Sequence, residues 1–297
     1  VFFVNDTPTT EIYTLSLHGA LPISNLNSFA SFLPEWLVLA GAFILSFSIT
    51  FFPIPTIVKI AKHKKIFNIP NGRSSHNNEV PMLGGLAIFG GLSISAIVFT
   101  IPSESVELRF ILGGVVILFF LGLKDDVLRL VPKKKLIGQI VASLFVIILG
   151  EIRIIDFHSV LGIDSISYIP GILVTLLLFL TLINGFNLID GVDGLSAGVG
   201  ILSGIFYGIH FIILGHLSYA AISLSLTGAL IAYFSFNVFG KKNKIFMGDT
   251  GAIITGLIIS VLTVHFLENS ENPHSLFKSE ATRSEEHTSE LQSPNTI

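Results

Sequence analysis

Aspartates beside strongly apolar segments are the residues of this chain best suited to chemistry. The segment "NGFNLIDGVDGLSAG" (184–198) places Asp190 and Asp193 directly after an apolar run. They are three residues apart, so a helical backbone would bring them to one face, which Asn187 extends. A single Asp there could simply cap a helix, because Asp and Asn favour helix N-termini. Capping does not account for all three side chains together.

A second acidic segment, "FLGLKDDVLRLVPKKK", contains the adjacent pair Asp125 and Asp126 and ends in three lysines. Neighbouring carboxylates repel each other unless a cation or a proton lies between them. They suit Mg²⁺, which takes oxygen ligands and is often held by one or two carboxylates together with substrate phosphates. The lysines, Lys133 among them, could bind a diphosphate or a lipid phosphate. Basic residues beside a membrane span are, however, also what topology alone would place.

Two further segments carry polar residues at the edge of an apolar run. In "FNVFGKKNKIFMGDTGA", Asp249 stands between Gly248 and Thr250, where a beginning helix would offer backbone N–H groups to a phosphate. In "RSSHNNEVPMLGG", Arg73 and His76 precede an apolar stretch. A lone loop histidine is more often inert than catalytic, so this last segment is the weakest of the four.

The chemistry that these residue types favour is the handling of a phosphate group by a divalent cation. Carboxylates near lipid are costly and tend to mark function. Polyanionic substrates need a cation to bridge and neutralise the phosphoryl group that is transferred. Carboxylates gathered at one interface with lysine and asparagine would supply such a site.

The composition indicates that these residues are positioned by membrane helices. Apolar residues make up 51% of the 297 and charged residues 12%, and the mean hydropathy is +0.78. Soluble domains carry about 25% charged residues, so the chain is predicted to be an integral membrane protein. The absence of cysteine excludes disulfides, thiolate metal sites and cysteine nucleophiles. The net charge of −3 gives no indication of nucleic-acid binding.

We predict an all-α, polytopic helical bundle with about eight transmembrane helices. A span needs roughly 20 mostly apolar residues. The segments that fit are 33–54, 83–101, 108–123, 136–150, 169–184, 197–215, 218–236 and 250–267. The segments 108–123 and 136–150 are short enough to be buried helices instead.

The distribution of Lys and Arg predicts the orientation of the bundle. Thirteen of the 17 lie in one set of loops and two, Arg109 and Arg153, in the opposite set. The amino end is therefore predicted to lie outside. The loops predicted to face the cytoplasm are 55–82, 124–135, 185–196 and 237–249, and they carry the aspartates described above.

The two ends of the chain differ in composition from the rest. Residues 1–24 and 283–297 are rich in Thr, Ser and Glu and lack the periodicity of a span. Both resemble translated sequencing-adaptor sequence, so we expect a non-native leader and tail around a domain of residues 25–282 that is incomplete at its carboxyl end. The alternative is a signal-like leader with a disordered tail.

The four polar segments together resemble those of the polyprenyl-phosphate N-acetylhexosamine-1-phosphate transferases, a family of multi-span bacterial membrane proteins. The matching stretches are "LGLKDDV", "NGFNLIDGVDGLSAG", "KIFMGDTG" and "RSSHNNEVPMLGG", in the family's order across about residues 30–282. The resemblance implies a Mg²⁺-dependent transfer, with Mn²⁺ as an alternative cation. Undecaprenyl phosphate would attack a UDP-N-acetylhexosamine on the cytoplasmic face of the bacterial inner membrane, leaving a lipid diphosphate sugar and UMP.

The same resemblance implies roles for individual residues. Asp249 would bind magnesium, and Asp125 and Asp126 would lie beside the metal and the lipid phosphate as cofactor ligand or proton acceptor. Asn187, Asp190 and Asp193 would help to hold the nucleotide or its diphosphate. Phe246 would stack near the uracil. The further residues assigned to substrate binding are Asn237, Lys244, Lys133, Arg73 and His76.

Several alternatives stay open at this point. The segment "RSSHNNEVPMLGG" resembles the branch that uses UDP-N-acetylglucosamine, whereas the branch that uses UDP-N-acetylmuramoyl-pentapeptide usually has a "PTMGG"-type segment. No stretch matches the family's histidine-rich loop, and His265, His274 and His287 lack its context. An ion-coupled transporter and a non-catalytic membrane scaffold are the rival functions. A homodimer is compatible with the sequence.

Overall fold

The computed structural model describes residues 34–64, 80–100, 107–156 and 165–269. The expected leader and tail, and the predicted substrate-binding residues Arg73 and His76, lie outside the described residues. In the described part, the regular elements are helices, and one isolated antiparallel bridge joins Asp156 to Ser165. The predicted all-α class is therefore confirmed for this part of the chain.

We number the helices in chain order. They are α1 (Glu35–Phe51), α2 (Pro53–Lys64), α3 (Gly84–Phe99), α4 (Leu108–Leu128), α5 (Pro132–Leu144), α6 (Tyr168–Ile189), α7 (Leu195–Ile213), α8 (Leu217–Val238) and α9 (Gly248–Asn269). A π-helical turn, Phe145–Leu149, continues α5.

Each predicted apolar segment corresponds to one of these helices. In the part of the chain that the structure describes, five helical stretches are long and apolar enough to cross a membrane: Glu35–Lys64, Tyr168–Ile189, Leu195–Ile213, Leu217–Val238 and Gly248–Asn269. The protein is therefore a multi-pass membrane protein. A count of eight spans and an outward amino end stay predictions.

The helices extend further into the polar segments than predicted. The segment 124–135 was expected to be a loop, but α4 continues to Leu128 and α5 begins at Pro132. Likewise α2 and α6 reach into the expected loops 55–82 and 185–196. A fall in hydropathy marks where contact with lipid ends, but backbone hydrogen bonds continue the helix beyond that point. Asp125 and Asp126 thus lie on the last turns of a rigid helix.

Helices α8 and α9 form the centre of the bundle. In each, 78% of the apolar stretch is buried inside the protein, compared with 28% in α6 and 33% in α7. Helix α9 packs against α3, α4, α6 and α7, and α8 packs against α1, α3 and α7. The outer helices consequently present apolar side chains to lipid, and the first turn of α9 is enclosed by protein.

Contacts at the far end of α9 join α4, α8 and α9. His265 on α9 lies 3.6 Å (Nε2 to Oε2) from Glu107, which precedes α4. The hydroxyl of Tyr219 on α8 donates to the same carboxylate. His265 therefore lies at the opposite end of α9 from Asp249 and takes no part in a site there.

Small residues let α3 and α4 approach the first turn of α9. A Cβ added at Gly85 on α3 would lie 2.8 Å from Cα of Gly251 and closer still to its backbone nitrogen. A Cβ at Gly122 on α4 would collide with the backbone of Thr250. Backbone contact of this kind requires glycine, as in other tightly packed membrane helices.

We expect Gly85→Ala to lower the free energy of unfolding by about 1–3 kcal/mol, because the backbone of α9 cannot yield to the added methyl group. Gly90→Ala on the same helix is the matched control: its Cβ would meet only Ile49, at 3.9 Å. That variant should be neutral or slightly more stable, since alanine favours a helix over glycine by up to about 1 kcal/mol. Thermal unfolding of both variants in detergent checks this, and equal effects would contradict it.

Candidate active site

Aspartates from three parts of the chain meet at one end of the bundle. Asp125 and Asp126 lie at the carboxyl end of α4, Asp190 directly follows α6, and Asp249 is in the first turn of α9. Lys135, in the first turn of α5, contacts two of them. The predicted convergence of these carboxylates is observed.

Asp126 binds the amino end of α9. Its Oδ1 accepts a hydrogen bond from the backbone N–H of Asp249 at 2.7 Å. Its Oδ2 accepts from the N–H of Thr250 at 3.2 Å and from the Thr250 hydroxyl at 2.5 Å. A carboxylate here also interacts favourably with the positive end of the helix dipole. Asp126 thus caps a helix from another part of the chain and holds Asp249 in place.

The amino end of α9 is therefore not open to a phosphate, contrary to the sequence-based expectation. The N–H groups of Asp249 and Thr250 are bonded to Asp126, and that of Gly248 donates to the carboxylate of Asp190. The acidic side chains satisfy the donors that such a helix end leaves free. Gly248 has φ of +75°, and a Cβ there would lie 2.8 Å from Oδ1 of Asp126. Glycine is required for this approach.

Lys135 bridges Asp125 and Asp249. Its Nζ lies 3.0 Å from Oδ2 of Asp125 and donates to Oδ1 of Asp249 at 2.6 Å. The other oxygen of Asp125 accepts from the N–H of Leu130 at 2.6 Å. Burial alone would lower the pKa of Lys135, but the two carboxylates outweigh burial and raise it. The lysine is therefore a charged ammonium between two acids.

Asp190 experiences the negative charges of Asp249, Asp126 and Asp193. Burial, and then the charges of Asp249 and Asp126, raise its pKa to about 8, although the N–H of Gly248 acts in the opposite direction. A carboxyl group with so high a pKa holds a proton near neutral pH. Four acidic side chains meet here with the one ammonium of Lys135, and this arrangement favours an added cation.

The loop between α8 and α9 is fixed from several sides. Buried Asn237 accepts a hydrogen bond from Gly194 N–H at 2.7 Å and donates to Ile245 O at 2.9 Å. Its amide therefore braces the backbone, whereas the sequence predicted contact with substrate. Phe246 N–H donates to Pro81 O at 2.8 Å, which joins the loop to the start of α3.

The exposed rim of the site carries the remaining residues predicted to bind substrate. Lys244 Nζ lies 2.5 Å from Oδ2 of Asp193 and 5.6 Å from the ring centroid of Phe246. Asn187 is partly buried in the last turns of α6. Lys133 lies exposed on the first turn of α5. Asp193, Lys244 and Phe246 thus form one group beside the carboxylates.

Sequence reasoning selected Lys133 from the three lysines, but the lysine inside the site is Lys135. The signal was present in helical spacing: Lys135, Gln139 and Ser143 follow one another at intervals of four, and the last two are fully buried. Residues four apart share a helix face. Lys133 belongs to the exposed face.

The residues present fit a hard divalent cation, provided that Lys135 moves. Within the described ranges, no three histidine or acidic side chains stand around a common point as metal ligands. Mg²⁺, however, is commonly held by one or two carboxylates with waters and substrate phosphates. Asp125 and Asp249 supply that number, and both are oxygen donors. The ammonium of Lys135 now bridges the two oxygens concerned.

A family model described as "Glycosyl transferase family 4" matches residues 108–267. The chain belongs to glycosyl transferase family 4. The match includes Asp125, Asp126, Asp190, Asp249 and Lys135, so the cluster lies wholly within the part that defines the family.

Named relatives of this chain are 26–29% identical to it over 220–231 aligned residues. It is 26% identical over 220 residues to undecaprenyl-phosphate alpha-N-acetylglucosaminyl 1-phosphate transferase of Escherichia coli (strain K12), covering 72% of this chain and 59% of the relative. It is 29% identical over 225 residues to the probable undecaprenyl-phosphate N-acetylglucosaminyl 1-phosphate transferase of Bacillus subtilis, covering 75% and 62%. The decaprenyl-phosphate N-acetylglucosaminephosphotransferase of Mycobacterium tuberculosis is 29% identical over 231 residues, covering 71% and 56%. The chain thus spans about three fifths of these relatives' lengths.

Proposed function

We propose that this protein transfers N-acetylhexosamine-1-phosphate from a UDP-sugar to undecaprenyl phosphate and releases UMP. A phosphate oxygen of the lipid attacks the sugar-linked phosphorus, and the bond from that phosphorus to UMP breaks. The product is a sugar linked to the lipid through a diphosphate. This would be the first membrane step in building a cell-surface glycan.

The observation that carries the proposal is the meeting of four carboxylates and one ammonium at one end of a membrane bundle of this family. Phosphoryl transfer depends chiefly on positioning and on electrostatic stabilisation of the charged phosphoryl oxygens. Asp125 and Asp249 would hold a Mg²⁺ ion, which would neutralise charge on the diphosphate. Mn²⁺ has similar ligand preferences.

Each side chain of the site has a distinct task under this proposal. Asp126 keeps the first turn of α9 in register, so that Asp249 faces Asp125. The group of Asp193, Lys244 and Phe246 would hold the uridine and its diphosphate. A general base is not required, because a phosphate monoester near neutral pH is already mostly ionised.

We propose UDP-N-acetylglucosamine as the donor. The segment "RSSHNNEVPMLGG" resembles the branch of transferases that uses this sugar, and the relatives named above carry N-acetylglucosamine in their names. UDP-N-acetylmuramoyl-pentapeptide is the alternative donor. The excess of Lys and Arg on this side supports an active site at the cytoplasmic face of the bacterial inner membrane.

The placement of the carboxylates favours an enzyme over an ion-coupled transporter. Substrate and ion sites of transporters lie near the middle of the bilayer, often on broken helices. Here Asp125, Asp126, Asp190 and Asp249 lie at helix ends on one side of the bundle. A scaffold would have no use for clustered acids.

Transfer of radiolabel from UDP-sugars to undecaprenyl phosphate tests the proposal. Membranes containing the full-length protein should convert UDP-N-acetylglucosamine to a lipid-extractable product and UMP, and EDTA should abolish the reaction. If only UDP-N-acetylmuramoyl-pentapeptide reacts, it replaces UDP-N-acetylglucosamine as the proposed donor. If no UDP-sugar donates its sugar phosphate, the proposed function is refuted. Membranes lacking the protein give the background.

A further inference from the structure

Lys135 lies at the centre of the site, between two carboxylates, and the transfer reaction by itself does not require a lysine there. Its ammonium is the positive charge that links Asp125 of α4 to Asp249 of α9. The side chain is only 14% exposed. The two neighbouring lysines, Lys133 and Lys134, are exposed on the outer face of the same turn.

The fold holds Lys135 in this position. Pro132 begins α5 and fixes the start of its first turn. One turn after Lys135, Gln139 is fully buried and accepts a hydrogen bond from the side-chain amide of Asn184 on α6, at 3.0 Å. A Cβ added at Gly138 would lie 2.7 Å from the side chain of Leu121, so α5 also lies close to α4. These contacts orient the face of α5 that carries Lys135 and Gln139 towards the interior of the bundle.

The ammonium and a divalent cation would use the same oxygens. Nζ is 3.0 Å from Oδ2 of Asp125 and 2.6 Å from Oδ1 of Asp249. Mg²⁺ binds oxygen at about 2.0–2.1 Å in a nearly octahedral shell. An ion that bridges these two oxygens therefore needs the space that Nζ fills, and two cations so close would repel each other.

We propose that Lys135 is a tethered counter-cation: it holds Asp125 and Asp249 together without a metal and is displaced when the divalent cation binds. This inference rests on the proposed function, in which Asp125 and Asp249 bind that cation. The lysine lowers the affinity of the site for the free divalent cation. Without the cation, it also offsets the repulsion between the two carboxylates. Lys135 is thus a positioning residue.

Removal of the ammonium should strengthen binding of the bare ion. Mn²⁺ is the probe, because the electron paramagnetic resonance signal of the free ion reports binding directly. In the purified full-length protein without substrates, we expect Lys135→Met to lower the Kd for Mn²⁺ about tenfold. A tenfold change corresponds to about 1.4 kcal/mol. The same variant should melt at a lower temperature than wild type in EDTA, and saturating Mn²⁺ should narrow that difference.

Three further variants separate this role from general damage to the fold. Lys134→Met removes an exposed lysine from the same turn and should leave the Kd unchanged. Lys135→Gln should tighten Mn²⁺ binding as Lys135→Met does, so the test does not depend on one variant folding. Lys135→Arg keeps the positive charge and should bind Mn²⁺ within about threefold of wild type. A lysine that only stabilised the fold would lower the melting temperature equally with and without Mn²⁺.

The outcomes distinguish this inference from the proposed function. Unchanged or weaker Mn²⁺ binding by both neutral variants would overturn the role of Lys135 while leaving the cation site intact. Equally tight binding by Lys135→Arg and Lys135→Met would also overturn it, because charge would then not be the cause. If wild type binds no more Mn²⁺ than Asp249→Asn does, the cation site of the proposed function fails as well.

Discussion

Asp249→Asn should reduce transfer of sugar phosphate to undecaprenyl phosphate by about 10³-fold while the protein remains folded in the membrane. The substitution removes one of the two carboxylates proposed to hold the cation. Loss of a single preorganised electrostatic group from an active site typically costs 10²–10³ in kcat, and loss of the cation would add to this. The measurement is the release of UMP by membranes with equal amounts of each protein.

The backbone of Asp249 explains why this variant should keep its fold. The hydrogen bond to Asp126 is made by the main-chain N–H, which asparagine retains. Lys135 also keeps its partner Asp125. The matched control is Glu268→Gln at the other end of the same helix, where the carboxylate accepts from Ile155 N–H and an amide oxygen can do the same. Glu268→Gln should keep full activity. Full activity of Asp249→Asn would remove this residue from the mechanism.

The sequence predicted the helices and the convergence of the acids for physical reasons that act locally. A stretch such as Leu217–Val238 is too apolar to be anything but a buried or lipid-facing helix. Acids placed at the ends of such stretches fall on one side of the membrane, because alternate spans run in opposite directions. Asp126, Asp190 and Asp249 could therefore be expected to lie near one another before any contact was known.

The partners of those acids could not be predicted, since they depend on how the helices pack. Asp125 and Asp126 are adjacent in sequence and on the same helix end, yet one binds Lys135 and the other binds the first turn of α9. Successive residues on a helix point about 100° apart, so each meets a different neighbour. Which neighbour each residue meets cannot be decided from the order of the residues alone.

Asn237 shows the same limit from another side. The resemblance to the transferase family implied that this residue contacts substrate. Its two amide atoms are instead bonded to Gly194 and Ile245. A buried amide must satisfy its own hydrogen bonds, and one of the two partners here, Gly194, lies 43 residues away in the chain. Only the packed structure reveals that pairing.

We expect Asp126→Ala to lower both activity and stability, which sets it apart from Asp249→Asn. The substitution leaves two backbone N–H groups and the Thr250 hydroxyl without their acceptor at the start of α9. Loss of an N-cap costs about 0.5–2 kcal/mol, and donors left unsatisfied in a partly buried site add to this. The free energy of unfolding should therefore fall by roughly 2–4 kcal/mol. Thermal unfolding in detergent, with and without Mg²⁺, measures the change.

Activity should fall at least about 100-fold, because a frayed first turn no longer presents Asp249 to Asp125. Thr250→Val provides the graded comparison: it removes only the hydroxyl donor and should cost about 1 kcal/mol of stability. If Asp126 acted as a metal ligand or base rather than as a cap, Asp126→Ala would lose activity with wild-type stability, as expected for Asp249→Asn. The capping role of Asp126 therefore predicts a distinct result. Loss of its carboxylate must lower the stability of the fold and the activity of the site together.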